Sequence, residues 1–268
     1  FSCVIIATLL AFDYSAGGIT AGWNGNSIAA LILFGVVWLS FISDPKQRAM
    51  LIFEIAVFAI AFAQTVATDC RSVIASLVVF ASLLYVFPKL LEKNKVFFRA
   101  VYIAALSFPC IVALVMNLLY TAPFAQDLNA WAFEKTGKLF FSGREGIWQA
   151  AFEAVSDPIF GNGHGYFAYN THSMFLTIYY NIGFLGYILF CLFFAFIFEY
   201  LHKYLHDYIV RGSFISFISI YAMHAFENIM VQTSLMSVPV YLILAVGIGR
   251  ACMLEKEQKL KISEEKHV

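Results

Sequence analysis

The sequence predicts an all-α protein, a polytopic bundle of transmembrane helices, and three observations predict it. The 268 residues are 61% hydrophobic and 13% charged, with a mean hydropathy of +0.79; a soluble globule is about half apolar and about a quarter charged. Mostly apolar runs recur along the chain, and a run of about 20 such residues is long enough to cross a bilayer as a helix. The strand-like alternation of an outer-membrane barrel is missing. This composition excludes disorder, which needs few apolar residues and high net charge. The 17 basic residues balance the 17 acidic ones, so no bulk positive field recruits nucleic acid. The 29 Phe and 14 Tyr suit a lipid-facing surface with rings at its interfaces.

Eight spans are expected, at 1–12, 26–43, 49–67, 72–91, 100–120, 173–198, 213–231 and 234–251. The chain opens on Phe1 and is apolar at once, so the first span reads as incomplete. No basic stretch followed by a small-residue cleavage site marks a signal peptide. The chain reads as a single integral membrane domain. Residues 1–120 carry five spans, 121–172 form a loop, 173–251 carry three spans and 252–268 form a charged tail. Cys3, Cys70, Cys110, Cys191 and Cys252 show no paired spacing, so neither a disulfide framework nor a zinc site is expected. No matched pair of Gly/Pro-broken spans points to an inverted-repeat transporter.

Charge placement predicts the orientation. One set of connectors holds Lys46, Arg48, Lys89, Lys93, Lys95, Arg99, Lys203 and Arg211, and the tail adds Arg250, Lys256, Lys259, Lys261 and Lys266. The other side holds only Arg71, Lys135, Lys138 and Arg144. The positive-inside rule makes the larger set cytoplasmic, the C-terminus included, and puts the 121–172 loop outside.

The few charges on the disfavoured side carry the chemical signal. Arg71 stands in Thr68-Asp69-Cys70-Arg71-Ser72 between two apolar spans. An arginine there either snorkels to the interface or forms a buried anion site, since guanidinium is always charged and its fork matches phosphate oxygens. Ser142 and Glu145 have capping-box spacing, followed by Ile147, Trp148, Ala151, Phe152 and Val155 on one helical face. An amphipathic helix starting at Ser142 is therefore expected, ending before Asp157-Pro158. It sets Arg144 in the first turn beside free N–H groups, a cradle for pyrophosphate or simply a solvated surface position.

Gly161, Gly163 and Gly165 permit a tight turn that carries His164. His172, in Tyr169-Asn170-Thr171-His172-Ser173, stands at the outer mouth of a span, where an imidazole takes up a proton near neutral pH or caps the helix. His224 and Glu227 are three residues apart in the seventh span, a spacing that puts them on one helical face. Ionisable groups at such depth are functional candidates, or else a structural hydrogen-bonded pair. Glu54 lies about one turn from a basic connector, which suggests a solvated or paired carboxylate. His202 and His206 read as interfacial on the cytoplasmic side.

Together these segments resemble the O-antigen ligase and polysaccharide polymerase family. The likeness is carried by Ser142-Gly-Arg144-Glu-Gly-Ile-Trp148, Asp157-Pro-Ile-Phe-Gly161-Asn-Gly163, Thr171-His172-Ser-Met-Phe-Leu176 and Gly183-Phe-Leu-Gly186. Thr68-Asp-Cys-Arg71-Ser-Val-Ile-Ala and Gly22-Trp-Asn-Gly-Asn26-Ser-Ile-Ala29 add to it upstream. The family often has His-Asn where this chain has His172-Ser173, which leaves Asn170 as the nearby amide. Its members usually have more spans.

The resemblance implies a metal-independent, inverting glycosyltransferase without a cofactor, in the bacterial cytoplasmic membrane with its site facing outward. It would move an undecaprenyl-pyrophosphate-linked oligosaccharide to the hydroxyl of a glycan or lipid A core acceptor. Arg71 and Arg144 would hold the pyrophosphate, and His172 would act at the acceptor hydroxyl. Ser142, Asn170, Glu227, His224 and His164 are the candidate substrate contacts. A polymerase of O-antigen or capsule is the leading expectation, because the loop is compact, and an O-antigen ligase is the alternative. A lipid-linked oligosaccharide transporter, which would distribute its charges through a paired architecture, and a non-catalytic scaffold are the competing classes.

Overall fold

The computed structural model describes residues 25–41, 48–68, 70–137, 139–141, 143–163, 171–228, 230 and 237–265. Among them every regular element is helical: α1 (Gly25–Val37), α2 (Arg48–Ala67), α3 (Arg71–Ala81), α4 (Pro88–Lys93), α5 (Lys95–Tyr120), α6 (Ala125–Thr136), α7 (Glu145–Glu153), α8 (Met174–His202), α9 (Tyr208–Met223) and α10 (Ser237–Glu265). A 3₁₀ turn follows α1 at Trp38–Phe41, and a π-helical stretch, Ser82–Val86, follows α3.

Three helices are long and apolar enough to cross a membrane, at Lys95–Tyr120, Met174–His202 and Val238–Glu265. They fall on the expected spans 100–120, 173–198 and 234–251. Less than a third of each apolar window is buried inside the protein. Ile103, Ile111, Leu118, Leu189, Phe193 and Phe196 point outward, as a lipid-facing surface requires. The chain is an α-helical protein of membrane type. Shorter apolar helices stand where 26–43, 49–67, 72–91 and 213–231 were expected, and 1–12 lies outside the described residues.

Two compact units divide the chain. The first comprises Phe1–Tyr102, Ala195–Met223 and Val238–Val268. Its centre is α9, whose residues are buried on all sides, the pattern of a helix with no polar face. Small residues let its neighbours approach. Ser40 Oγ donates to the Gly212 carbonyl at 3.2 Å and lies in hydrogen-bond contact with Ser216 Oγ at 2.7 Å, while Ser213 Oγ donates to Ile243 O at 2.7 Å. A Cβ on Gly247 would come within 2.2 Å of Ser213 Oγ, so close packing fixes that glycine.

Ion pairs tie the helix ends of this unit. Glu199 takes Arg99 at 2.7 Å and Lys95 at 3.5 Å, and Asp207 takes Arg250 at 2.9 Å. The expected solvated tail is helical as far as Glu265. Glu54 is only 1% exposed, so of the two positions expected for it, solvated or paired, the solvated one is excluded.

The second unit comprises Ile103–Phe194 and His224–Ser237. Pro109 in α5 has no N–H for the Ala105 carbonyl; Tyr187 Oη donates to the adjacent Leu106 carbonyl at 2.6 Å. Helix α8 breaks at Gly183, where φ is 65° and ψ is −170°. The 157–163 turn fills the break. Phe184 N–H donates to Pro158 O at 2.9 Å, Leu185 N–H to Ile159 O at 3.1 Å, and Asn162 N–H to Tyr180 O at 2.8 Å. The backbone groups that the helix loses are thus recovered from the turn, as an apolar surround demands.

Two helix ends add to what the sequence led us to expect. Helix α6 lies in the 121–172 connector, ahead of the amphipathic helix expected there; Gly137, at φ 71°, caps it through a 2.8 Å bond to Phe133 O. The seventh span does not run to 231, because α9 ends at Met223. Beyond it tertiary bonds replace the helical ones: Met174 N–H donates to His224 O at 3.0 Å, and Met230 N–H to His224 Nε2 at 2.9 Å.

Gly183→Ala tests the plugged break. The added Cβ would sit 2.2 Å from Ile159 O, in a backbone conformation open essentially to glycine alone. We expect a loss of at least about 2 kcal/mol, read as a lowered midpoint of thermal unfolding in detergent. An unchanged midpoint would refute the tight approach.

Candidate functional site

The site is built on the amphipathic helix foreseen in the 121–172 stretch. Helix α7 starts at Glu145, with Arg144 at its N-cap, three residues later than the expected start at Ser142. Arg144 therefore precedes the first turn and lies beside its N–H groups. The predicted apolar face is the buried one: Trp148 and Ala151 are 3% and 1% exposed. Phe152 packs against Tyr179 and Phe175 of α8, with ring centroids 5.7 and 6.4 Å apart. Trp148 Nε1 donates to Thr171 O at 2.6 Å. That bond fastens α7 to the residue immediately before His172.

His172 has φ 49°, a left-handed conformation uncommon outside glycine and typical of functional or strained positions. It turns its ring toward Glu227, with Nδ1 3.4 Å from Oε2. The other carboxylate oxygen, Oε1, accepts from Arg144 Nη2 at 3.0 Å, and Arg144 Nη1 donates to the Phe226 carbonyl. Glu227 thus bridges a guanidinium and an imidazole. The side chains of Arg144 and Glu227 are 18% and 14% exposed, and that of His172 is 36% exposed. The charged atoms are shielded while the ring still opens to the outside.

Threonines and amides brace this trio from behind. Thr171 Oγ1 and Thr177 Oγ1 lie 3.0 Å apart, and Asn228 Nδ2 donates to Thr177 Oγ1 at 2.5 Å. Asn181 Nδ2 donates to Thr177 O at 2.8 Å. Asn228 is 6% exposed, and its Oδ1 has no hydrogen-bond partner among the described residues.

The structure brings Arg144, His172 and Glu227 together and separates His224 from them. The expected His224–Glu227 pair on one helical face does not form, because both residues follow the end of α9. His224 is fully buried, and its Nε2 is occupied by Met230 N–H. That corrects His224 from a candidate substrate contact to a structural residue. Arg71 is the exposed first residue of α3 and belongs to the first unit. Ser142, Asn170 and His164 lie outside the described residues. Among the described residues no group of three or more His, Cys, Asp or Glu is placed to hold a metal ion.

Sequence reasoning missed the Trp148–Thr171 clamp and the bridging role of Glu227. Trp148 was legible as an apolar-face residue, but its hydrogen-bond partner 23 positions away was not. No family model, curated protein or solved structure matches this chain. The functional reading rests on its own residues.

Trp148→Phe keeps the ring and removes the donor. We expect a loss of about 1 kcal/mol from that bond, against about 3–5 kcal/mol for Trp148→Ala, both measured by thermal unfolding in detergent. A Trp148→Phe variant as stable as the native chain would mean that packing alone holds α7.

Proposed function

We propose that the chain is a membrane glycosyltransferase acting on an undecaprenyl-pyrophosphate-linked oligosaccharide outside the cytoplasmic membrane, with a surface-polysaccharide polymerase as the preferred form. One observation carries the reading: Glu227 joins Arg144 and His172, the two second-unit residues that the family resemblance singles out. A carboxylate on Nδ1 holds the ring in the tautomer whose lone pair is on Nε2. That nitrogen takes the proton from the acceptor hydroxyl. The hydroxyl oxygen then bonds to the anomeric carbon from the face opposite the departing phosphate, and the bond from that carbon to the phosphate oxygen breaks with inversion.

Arg144 serves the leaving group. Guanidinium has five N–H donors; Nη1 and Nη2 reach Phe226 and Glu227. A pyrophosphate oxygen shares the remaining directions with the N–H groups at the start of α7, which favour negative charge. Charge developing on the phosphate is met by donors already in place. Glu227 keeps Arg144 aimed and offsets its charge until the substrate arrives. The resemblance also names Arg71, on α3 of the first unit, as a pyrophosphate ligand, and its variants test that assignment separately.

The test is a gel of surface polysaccharide from a deletion strain complemented with variants of the full-length protein. His172→Ala is expected to abolish long chains while single units remain attached to the lipid A core. Loss of all attached glycan, with long lipid-linked chains accumulating, would instead make the protein a ligase. Arg144→Ala and Arg71→Ala should abolish product, and Arg→Lys should rescue poorly because the fork is lost. An unchanged ladder for His172→Ala at normal protein level would overturn the catalytic reading.

Glu227→Gln preserves shape and removes charge. It is expected to lower the rate by about 100-fold or more, the lower range for loss of acid–base assistance, with the protein still accumulating. Activity at the wild-type level would remove Glu227 from the mechanism.

A further inference from the structure

The turn that plugs the break in α8 ends in an exposed apolar tip. Ile159 is 58% exposed and Phe160 63% exposed, and no charged residue occurs from 158 to 163. In water such a tip would be unfavourable, and the one charged residue of the turn, Asp157, stands at its base and caps the tip's backbone. Ile159 N–H and Phe160 N–H donate to Asp157 Oδ1 at 2.8 and 3.1 Å. Gly161 N–H donates to Asp157 O at 2.7 Å, and Asn162 N–H to Tyr180 O at 2.8 Å. Backbone satisfied within the protein is what an irregular segment needs in order to lie at membrane depth.

The tip is continuous with the surface that α8 presents outward. A Cβ on Gly161 would touch the backbone of Asn181, Ile182 and Gly183, each at 2.6 Å. Ile182, Leu185, Ile188 and Leu189 are all exposed on the helix beside and beyond it. Length, counted from the charged end of the helix, sets where this surface sits. Helix α8 has 29 residues, or about 43 Å at 1.5 Å per residue, whereas a hydrocarbon core is about 30 Å thick. Residues 184–202 account for about 28 Å of the helix. Counted from the ion-paired Glu199 at the other end of the span, Gly183 lies about 24 Å along the helix, in the outermost part of the core, and the tip lies beside it.

We propose that the 157–163 turn is a membrane anchor, with Ile159 and Phe160 inserted among the lipids at the boundary between headgroups and acyl chains. The occupant of the exposed patch is a phospholipid bilayer, because the patch extends the lipid-facing flank of a spanning helix and carries no charge. The anchor also fixes a depth. Asn162 Nδ2 donates to Ala154 O at 2.7 Å, and Asn162 Oδ1 accepts from Ser156 N–H and Oγ at 2.7 Å. The turn is thereby pinned to the end of α7, the helix that carries Arg144. Insertion of the tip holds that arginine at a set height above the core, whatever reaction the site performs.

The test is a depth measurement that needs no activity. A nitroxide is attached at Phe160→Cys in the full chain with its native cysteines replaced, reconstituted in phosphatidylglycerol–phosphatidylethanolamine vesicles. Collisions with oxygen, which partitions into lipid, are compared with collisions with a water-soluble nickel chelate. We expect oxygen collisions to exceed nickel collisions several-fold, as at Phe196→Cys on the outward face of α8, and the reverse at Ser263→Cys on the exposed end of α10. Nickel collisions equal to or above those of oxygen would overturn the anchor. Low collisions with both would mean that protein covers the tip, and would overturn it equally. Should the cysteine-free chain fail to fold, Phe160→Trp in the otherwise native chain gives the same decision. Emission beyond that of the native tryptophans must be quenched by brominated lipid and not by iodide.

Discussion

An apolar surround supplies no hydrogen bonds, so each backbone N–H and carbonyl must find its partner inside the protein. Where α8 breaks at Gly183, this constraint organises the second unit. The groups released at Tyr180, Phe184 and Leu185 are taken by Asn162, Pro158 and Ile159, and the turn that provides them is fastened through Asn162 to the end of α7. Helix α7 in turn bonds the chain just before His172 through Trp148. A break that would otherwise weaken a spanning helix becomes the joint from which the candidate site is held.

The same constraint shapes the end of α9. The helix stops at Met223; beyond it the His224 carbonyl accepts from Met174 at the start of α8, and the His224 ring accepts from Met230 N–H, in place of helical bonds. That ending frees Glu227 from helical geometry and lets it face both Arg144 and His172. The charges share one carboxylate: a guanidinium on one oxygen, an imidazole on the other. Buried ionisable groups persist at low cost only when they are paired and hydrogen-bonded, and Glu227 satisfies this for both partners. The proposed chemistry draws on the same pairing, with aim given to the ring and restraint to the arginine.

Much of this was legible before any coordinates. The amphipathic face Trp148–Ala151–Phe152 followed from helical spacing, because the side of α7 that packs is set by local periodicity. Arg144 and His172 stood out because both are polar residues where topology does not ask for them. The Gly137 cap of α6 stands in the sequence as a glycine after Lys135-Thr136, but a lone glycine in a polar connector does not by itself mark a helix end. The pairing of His224 with Glu227 was inferred from spacing and failed, because spacing fixes a shared face only while the helix continues.

The sequence by itself determined that the chain is α-helical and apolar enough for a membrane, and it determined which polar residues are unusual. Those properties depend on composition and on periods of a few residues, which neighbours along the chain dictate. Only the tertiary structure decided that Glu227 belongs with Arg144, 83 positions away, and with His172, 55 positions away. It alone decided that a loop fills the break at Gly183. Both depend on where helices stop, and a helix stops where bonds to distant residues outcompete its own.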